Sequence, residues 1–292
     1  MNTDRKSSGW ASHTPVAADV SRRHPDSGQN APTHVGGYVL VTLLVVMAAG
    51  WVGAAPAAAL AKEKARVLLV TGVDYPGHPW RQTAPALAEA LRKDSRLEVV
   101  TVEDPAFLDS AAINKYDLIV LHFQNWHEPG PGKQARENLR QFVDGGKGVA
   151  LVHFACGAWV GEWPEFAKIA GRVWAGEGSG VRNHDPIGVF RVEIAKPDHP
   201  IVRGMNDFDT PDELYTCLVG DHPIEIVAHS RSKVDGKYYP MAFVSQYGKG
   251  RTFHCPLGHD ANALSPPEVQ ELFRRGCAWA AGLPPVIQPA RK

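Results

Sequence analysis

Ten of the 13 histidines lie beyond residue 61, and most of them follow short apolar runs. Asp74 and His78 come after the first run, Asn125, Trp126 and His127 after the third, and His153 ends the fourth. Later connecting segments carry His184-Asp185, Asp212-Glu213-Leu214-Tyr215 and Leu257-Gly258-His259-Asp260. Imidazoles and carboxylates hold Zn, Mn and similar divalent ions through nitrogen and oxygen, and they are the acids and bases that work near neutral pH. A site that combines both roles is expected.

Each of these residues also has a structural use. His153 could be a buried ring bonded to backbone in a tight turn, and His184 a loop residue. Asp212-Glu213 could cap a helix, and His259-Asp260 a loop. His199-Pro200 reads as a turn, and His122, His222, His229 and His254 as structural. Trp126, Trp159, Trp163 and Trp174 fall near the same loops, where they suit either a sugar face or the core.

Cys156 lies in Phe154-Ala155-Cys156-Gly157-Ala158, just after a buried strand, where α/β enzymes place nucleophiles. Phe154 stands where a glutaminase elbow has glycine, which favours a small structural thiol. Cys156, Cys217, Cys255 and Cys277 form no C-x-x-C pair and make no metal site by themselves. An oxidising compartment would permit a disulfide such as Cys217 to Cys255.

The elements that would gather these loops follow from the apolar pattern. Residues 66–71, 97–102, 117–123 and 148–153 read as strands, the first and last as runs buried on both faces of a parallel sheet. Helices are expected over 79–93, 133–143 and 163–170, which gives β-α-β alternation and a doubly wound sheet. The second half is more β-like, with strands at 190–194, 225–228, 241–246 and 251–255, a helix over 267–281 and a Pro-rich strap after Gly282. In such a sheet, ligands bind beyond the carboxyl ends of the strands. No glycine-rich phosphate loop is present, since Gly72 to Gly77 lacks the required spacing, so nucleotide binding is disfavoured.

Residues 1–34 are polar, without apolar period, and read as disordered. Tyr38 to Val52 is an uncharged apolar stretch of 15 residues, shorter than the ~20 a membrane-spanning helix needs. It reads as the core of a signal peptide cleaved near Ala61, an uncleaved anchor being the alternative. Arg22-Arg23 is too far from that stretch for a twin-arginine signal. The expected organisation is a disordered leader and signal peptide over 1–61 and one domain over 62–292, periplasmic or secreted, with no membrane association after cleavage. Of the 31 basic and 31 acidic residues the leader holds four and three, which leaves the domain one net negative charge. That neutrality argues against a nucleic-acid or anionic-membrane partner.

Leu151-Val152-His153, Glu165-Phe166, His184-Asp185-Pro186, Asp198-His199-Pro200-Ile201, Asp212-Glu213-Leu214-Tyr215, Tyr247-Gly248-Lys249-Gly250-Arg251 and Leu257-Gly258-His259-Asp260, in this order, resemble the ThuA-like (trehalose utilisation) family over Arg66 to about Pro284. The resemblance implies a class I glutamine amidotransferase-like fold: a flavodoxin-like parallel sheet with helices on both faces and a β-rich C-terminal portion. It implies no glutaminase activity. Its members are associated with sugar catabolism, often beside sugar dehydrogenases, so it implies a glycoside or 3-keto-glycoside substrate and a functional link to such a dehydrogenase. Carried over by position, the site residues it implies are His153, His184, Glu213 and His259, with Asp212, His78 and Asp74 nearby. The leading reading of these residue types gives a Zn, Mn, Ni or Fe ion to His153, His184, Glu213 and His259, with Glu213, Asp212 and His78 as catalytic groups. Asp74, Asn125, Trp126, His127, Trp159 and Asp260 are the substrate-binding candidates. Two other outcomes stay open: a non-catalytic sugar-binding module, and a hydrolase or amidotransferase that depends on Cys156.

Overall fold

The computed structural model describes residues 62–176 and 178–286. The expected leader and signal peptide, with its cleavage point near Ala61, lies outside the described residues, as do positions 287–292 of the tail. Among the described residues no helix is long and apolar enough to cross a membrane.

Strands β1 (Ala65–Val70), β3 (Leu118–Leu121) and β4 (Gly148–Val152) are nearly all apolar because both faces of the sheet are covered. Alternation sorts their side chains. Val67 and Leu69 pack in the core that includes Leu87 and Leu91 of α1 (Trp80–Arg92) and Leu272 and Phe273 of α4 (Pro267–Ala280). Leu68 and Val70 belong to a second core with Leu139 and Phe142 of α2 (Lys133–Asp144) and Ile169 of α3 (Phe166–Ala170).

The remaining strands are β2 (Leu97–Val102), the short pair β5 (Val173–Trp174) and β8 (Leu218–Val219), β6 (Gly188–Ile194), β7 (Phe208–Asp212), β9 (Glu225–Arg231), β10 (Tyr238–Tyr247) and β11 (Gly250–Cys255). Among the described residues they form one nine-stranded sheet in the order β2-β1-β3-β4-β11-β10-β9-β6-β7, with β5 and β8 paired separately. The first five strands of that order are mutually parallel and follow the flavodoxin pattern. From β11 outward the pairs are antiparallel.

The β-rich portion lies in the C-terminal half, as expected: β6 to β10 follow β1 to β4, and the chain then returns to the parallel half through β11 and α4. Two alternatives open in the sequence are not realised. Asp212-Glu213 does not open a helix, because Asp212 ends β7, an edge strand whose Pro211 masks its pattern and is tolerated at the edge. All four cysteines are free and buried; Cys217 packs with Cys156 and Tyr215 while Cys255 sits in the α1/α4 core, so the Cys217 to Cys255 disulfide is not formed.

Candidate metal centre

Because β1, β4 and β11 run parallel, the loops that follow them open at one edge of the sheet. The first carries His78 just ahead of α1, the second begins with His153, and the third holds His259. Glu213 follows β7. One donor atom from each of His78, His153, Glu213 and His259 lies within 4.8 Å of all the others.

His153 starts a short 3-10 turn over His153–Gly157 with φ of 44°. This left-handed conformation costs a non-glycine residue about 1–2 kcal/mol, which the surrounding packing must offset. Its Nδ1 donates to the Pro256 carbonyl at 2.7 Å, which leaves Nε2 as the lone-pair nitrogen, the arrangement usual for a metal-bound imidazole. That Nε2 lies 3.4 Å from Glu213 Oε2 and 2.9 Å from the Tyr215 hydroxyl.

Glu213 faces three imidazoles. His259 Nδ1 approaches Oε2 at 3.2 Å, without the alignment of a hydrogen bond, so this nitrogen is buried and unpartnered. His184 Nε2 lies 3.5 Å from Oε1. Burial opposes ionisation of Glu213, but the neighbouring imidazoles of His153 and His259 outweigh it and hold the carboxyl well below its usual range. Burial likewise disfavours the charged form of His259, and the Glu213 carboxylate overrides it and raises the imidazole.

His78 stacks on Phe154 at 4.5 Å between ring centroids. Burial, reinforced by the charges of His153 and His259, pushes its pKa down to about 2. It is therefore a neutral ring at working pH, and its buried Nδ1 has no hydrogen-bond partner. Three imidazoles and one carboxylate, with two unpartnered buried nitrogens among them, match the donor set of Zn and of the other divalent transition ions.

Asp212 has a different task. Its carboxylate accepts from the backbone N–H of Gly258 (2.7 Å), Glu213 (2.7 Å) and His259 (3.2 Å). It ties the end of β7 to the loop after β11, so Glu213 and His259 are held together. Burial raises this carboxyl, with the His153 charge and the three amides opposing. With both oxygens engaged, Asp212 acts by positioning and not as the expected catalytic group.

The centre opens into a cavity of about 810 Å³ lined by residues that include Tyr75, Trp126, His127, Trp174, Asn183 and His184. Trp126 and Trp174 meet at 5.1 Å, and Tyr75 stacks on His127 at 5.4 Å. Gly157 makes room for the Trp126 indole, since a Cβ there would come within 2.3 Å of its Nε1. No lysine or arginine lines the cavity among the described residues.

The expected site residues thus divide. His153, Glu213 and His259 come together, His78 completes the cluster in place of His184, and His184 stands at the cavity wall with 34% of its side chain exposed. Trp126 and His127 line the cavity. So does Asn125, but its amide is spent on Glu162, the Glu128 carbonyl and the Trp159 N–H, so it holds loops. Three of the substrate-binding candidates do not reach the cavity. Asp74 is bound to Trp80 and Arg81 at the start of α1, Trp159 is buried in the α2/α3 core, and Asp260 caps the Ala263 N–H at 2.7 Å. Tyr75, Asn183 and Tyr215 are wall residues that sequence reasoning did not assign. Tyr75 shares the post-strand loop of His78 and was findable on that ground; Tyr215 has no local signal that separates it from a core tyrosine.

The parallel half of the sheet, the turn after β4 and the polar cluster at the strand tips define an α/β protein of the class I glutamine amidotransferase-like type in which histidine, not cysteine, occupies the turn. Residues 66–280 match the family model described as ThuA, trehalose utilisation, and the chain belongs to that family. Among solved structures it is similar to a ThuA-like protein of Parabacteroides merdae, at 24% identity and TM-score 0.68 over 78% of this chain and 94% of that one. A ThuA-like protein of Bacteroides uniformis aligns at 16% identity and TM-score 0.60 over 76% and 93%. A protein of Salmonella typhimurium LT2 described as cytoplasmic aligns at 13% identity and TM-score 0.54 over 74% and 99%. These likenesses show the fold. No curated protein sequence matches the chain significantly.

Proposed function

We propose that this chain is an exported, divalent-metal-dependent enzyme of carbohydrate catabolism that acts on a glycoside or 3-keto-glycoside. The observation that carries the proposal is the convergence of His78, His153, Glu213 and His259 within 4.8 Å at the base of an aromatic-walled cavity. Export, to the periplasm or outside the cell, is supported by the apolar stretch Tyr38 to Val52 and the small residues before Lys62.

A bound divalent ion would polarise a carbonyl oxygen of an oxidised sugar. The chain's own groups then handle the proton on the adjacent carbon. His184 donates from Nδ1 to the Asp185 carbonyl at 2.7 Å, so Nε2, 3.5 Å from Glu213 Oε1, is its proton-exchanging atom. The Trp126 and Trp174 faces suit the apolar faces of sugar rings, and the absence of cationic side chains from the described wall suits an uncharged substrate. A sugar dehydrogenase that makes the keto group is the functional partner this chemistry calls for.

Reaction at Cys156 finds no support in the geometry. The residue is fully buried, does not line the cavity, and burial pushes its thiol well above the usual range. Full activity is expected in Cys156→Ala. The proposal as a whole is tested by incubating the full chain, with and without Zn, Mn, Ni or Fe, with glycosides and their 3-keto forms. Metal-dependent product formation supports it, metal binding without turnover would leave a sugar-binding module, and no metal binding at all would overturn it.

A further inference from the structure

We infer that the Tyr215 hydroxyl is a built-in competitor for the metal position on His153. The inference rests on the metal-centre reading above. Because His153 Nδ1 is committed to the Pro256 carbonyl, Nε2 is the ring atom left for ligation, and that atom is the one 2.9 Å from the Tyr215 hydroxyl. In the neutral ring the phenol donates to the Nε2 lone pair; in the charged ring Nε2–H donates to the phenol oxygen. Either contact uses the direction that a metal–nitrogen bond needs, so ion and hydroxyl exclude one another.

Tyr215 is built to stay there. Its ring lies 4.3 Å from the His153 ring, packs with Cys156 and Cys217, and is 1% exposed. Its backbone forms an isolated bridge with His184, flanked by bonds from Asp185 N–H to the Leu214 carbonyl and from Thr216 N–H to the Asn183 carbonyl, both at 2.9 Å. The hydroxyl therefore cannot leave with its backbone. When the ion arrives the phenol oxygen must shift aside by movement of the side chain, toward the cavity that the residue lines. Tyr215 is thus a positioning residue that weakens metal binding and frees an O–H donor beside the centre once the ion is seated.

The test uses the full chain stripped of metal by chelator and titrated with Zn or Mn against a competing chelator. Tyr215→Phe, which removes only the hydroxyl, is expected to bind about 3- to 10-fold more tightly than wild type, the worth of one net buried hydrogen bond. In wild type the titration is also expected to change the near-UV tyrosine absorbance, and this change is expected to vanish in Tyr215→Phe. Unchanged or weaker binding in the variant, or a wild-type titration without a tyrosine signal, would overturn the inference while leaving the metal centre in place. If wild type binds neither ion, the reading beneath it fails as well. The wild-type absorbance needs no variant, so a poorly folded Tyr215→Phe would still leave a decisive result.

Discussion

His153 satisfies two constraints at once: a left-handed backbone at φ 44° and a ring whose Nδ1 is locked to a carbonyl. A residue held this way presents one nitrogen in one direction, as a metal ligand must. His153→Ala is therefore expected to lower affinity for Zn or Mn by about 100-fold or more, beyond the 10–100-fold that loss of a supporting contact costs. His184 lies on the far oxygen of Glu213, so His184→Ala is expected to keep the ion through dialysis and to lose about 10²–10⁴ in turnover, the usual worth of a general acid or base. Elemental analysis and rate measurement on the same preparations separate the two; loss of metal in His184→Ala would make it a ligand after all. Asp212→Asn removes the charge that serves three backbone amides. It is expected to cost about 2–3 kcal/mol in urea unfolding and to weaken metal binding.

The strands set which loops can meet. Among them β11 carries His254, whose Nδ1 donates to the Ala170 carbonyl at 3.0 Å and whose pKa burial pushes down to about 4. The folded pKa is below that of the unfolded chain, so its contribution is full above about pH 6.5 and is lost as pH falls toward 4, on the order of 3 kcal/mol in all. His254→Asn keeps an N–H for the carbonyl but does not titrate, and a shallower acid slope in urea midpoints is the expected outcome. β1, β4 and β11 were legible in the sequence because burial on both faces leaves continuous apolar runs, and the loops after them followed. β7 was not, since Pro211 and its flanking acids look like a turn, yet it is the strand that delivers Glu213. Loop order also does not say which ring reaches the centre: His78 and His184 both follow apolar runs or precede turns, and only packing on Phe154 puts the first inside.

At the scale of the molecule, two cores on opposite faces fix the sheet, and the ligands hang from its edge. An ion that binds only the folded chain stabilises it by about 2.7 kcal/mol at 100 times Kd, so a Tm rise of about 5–10 °C is expected for a domain of this size. Thermal melts with added Zn or Mn, reversed by chelator, check this; the His153→Ala melt is expected not to respond. The most direct test of the centre itself is a crystal structure of the full chain grown with Zn, Mn, Ni or Fe, with the ion located by anomalous scattering. One ion bonded to His78, His153, Glu213 and His259, with His184 outside the coordination sphere, is the predicted result. An empty cluster at saturating metal, or an ion bound elsewhere, would contradict it.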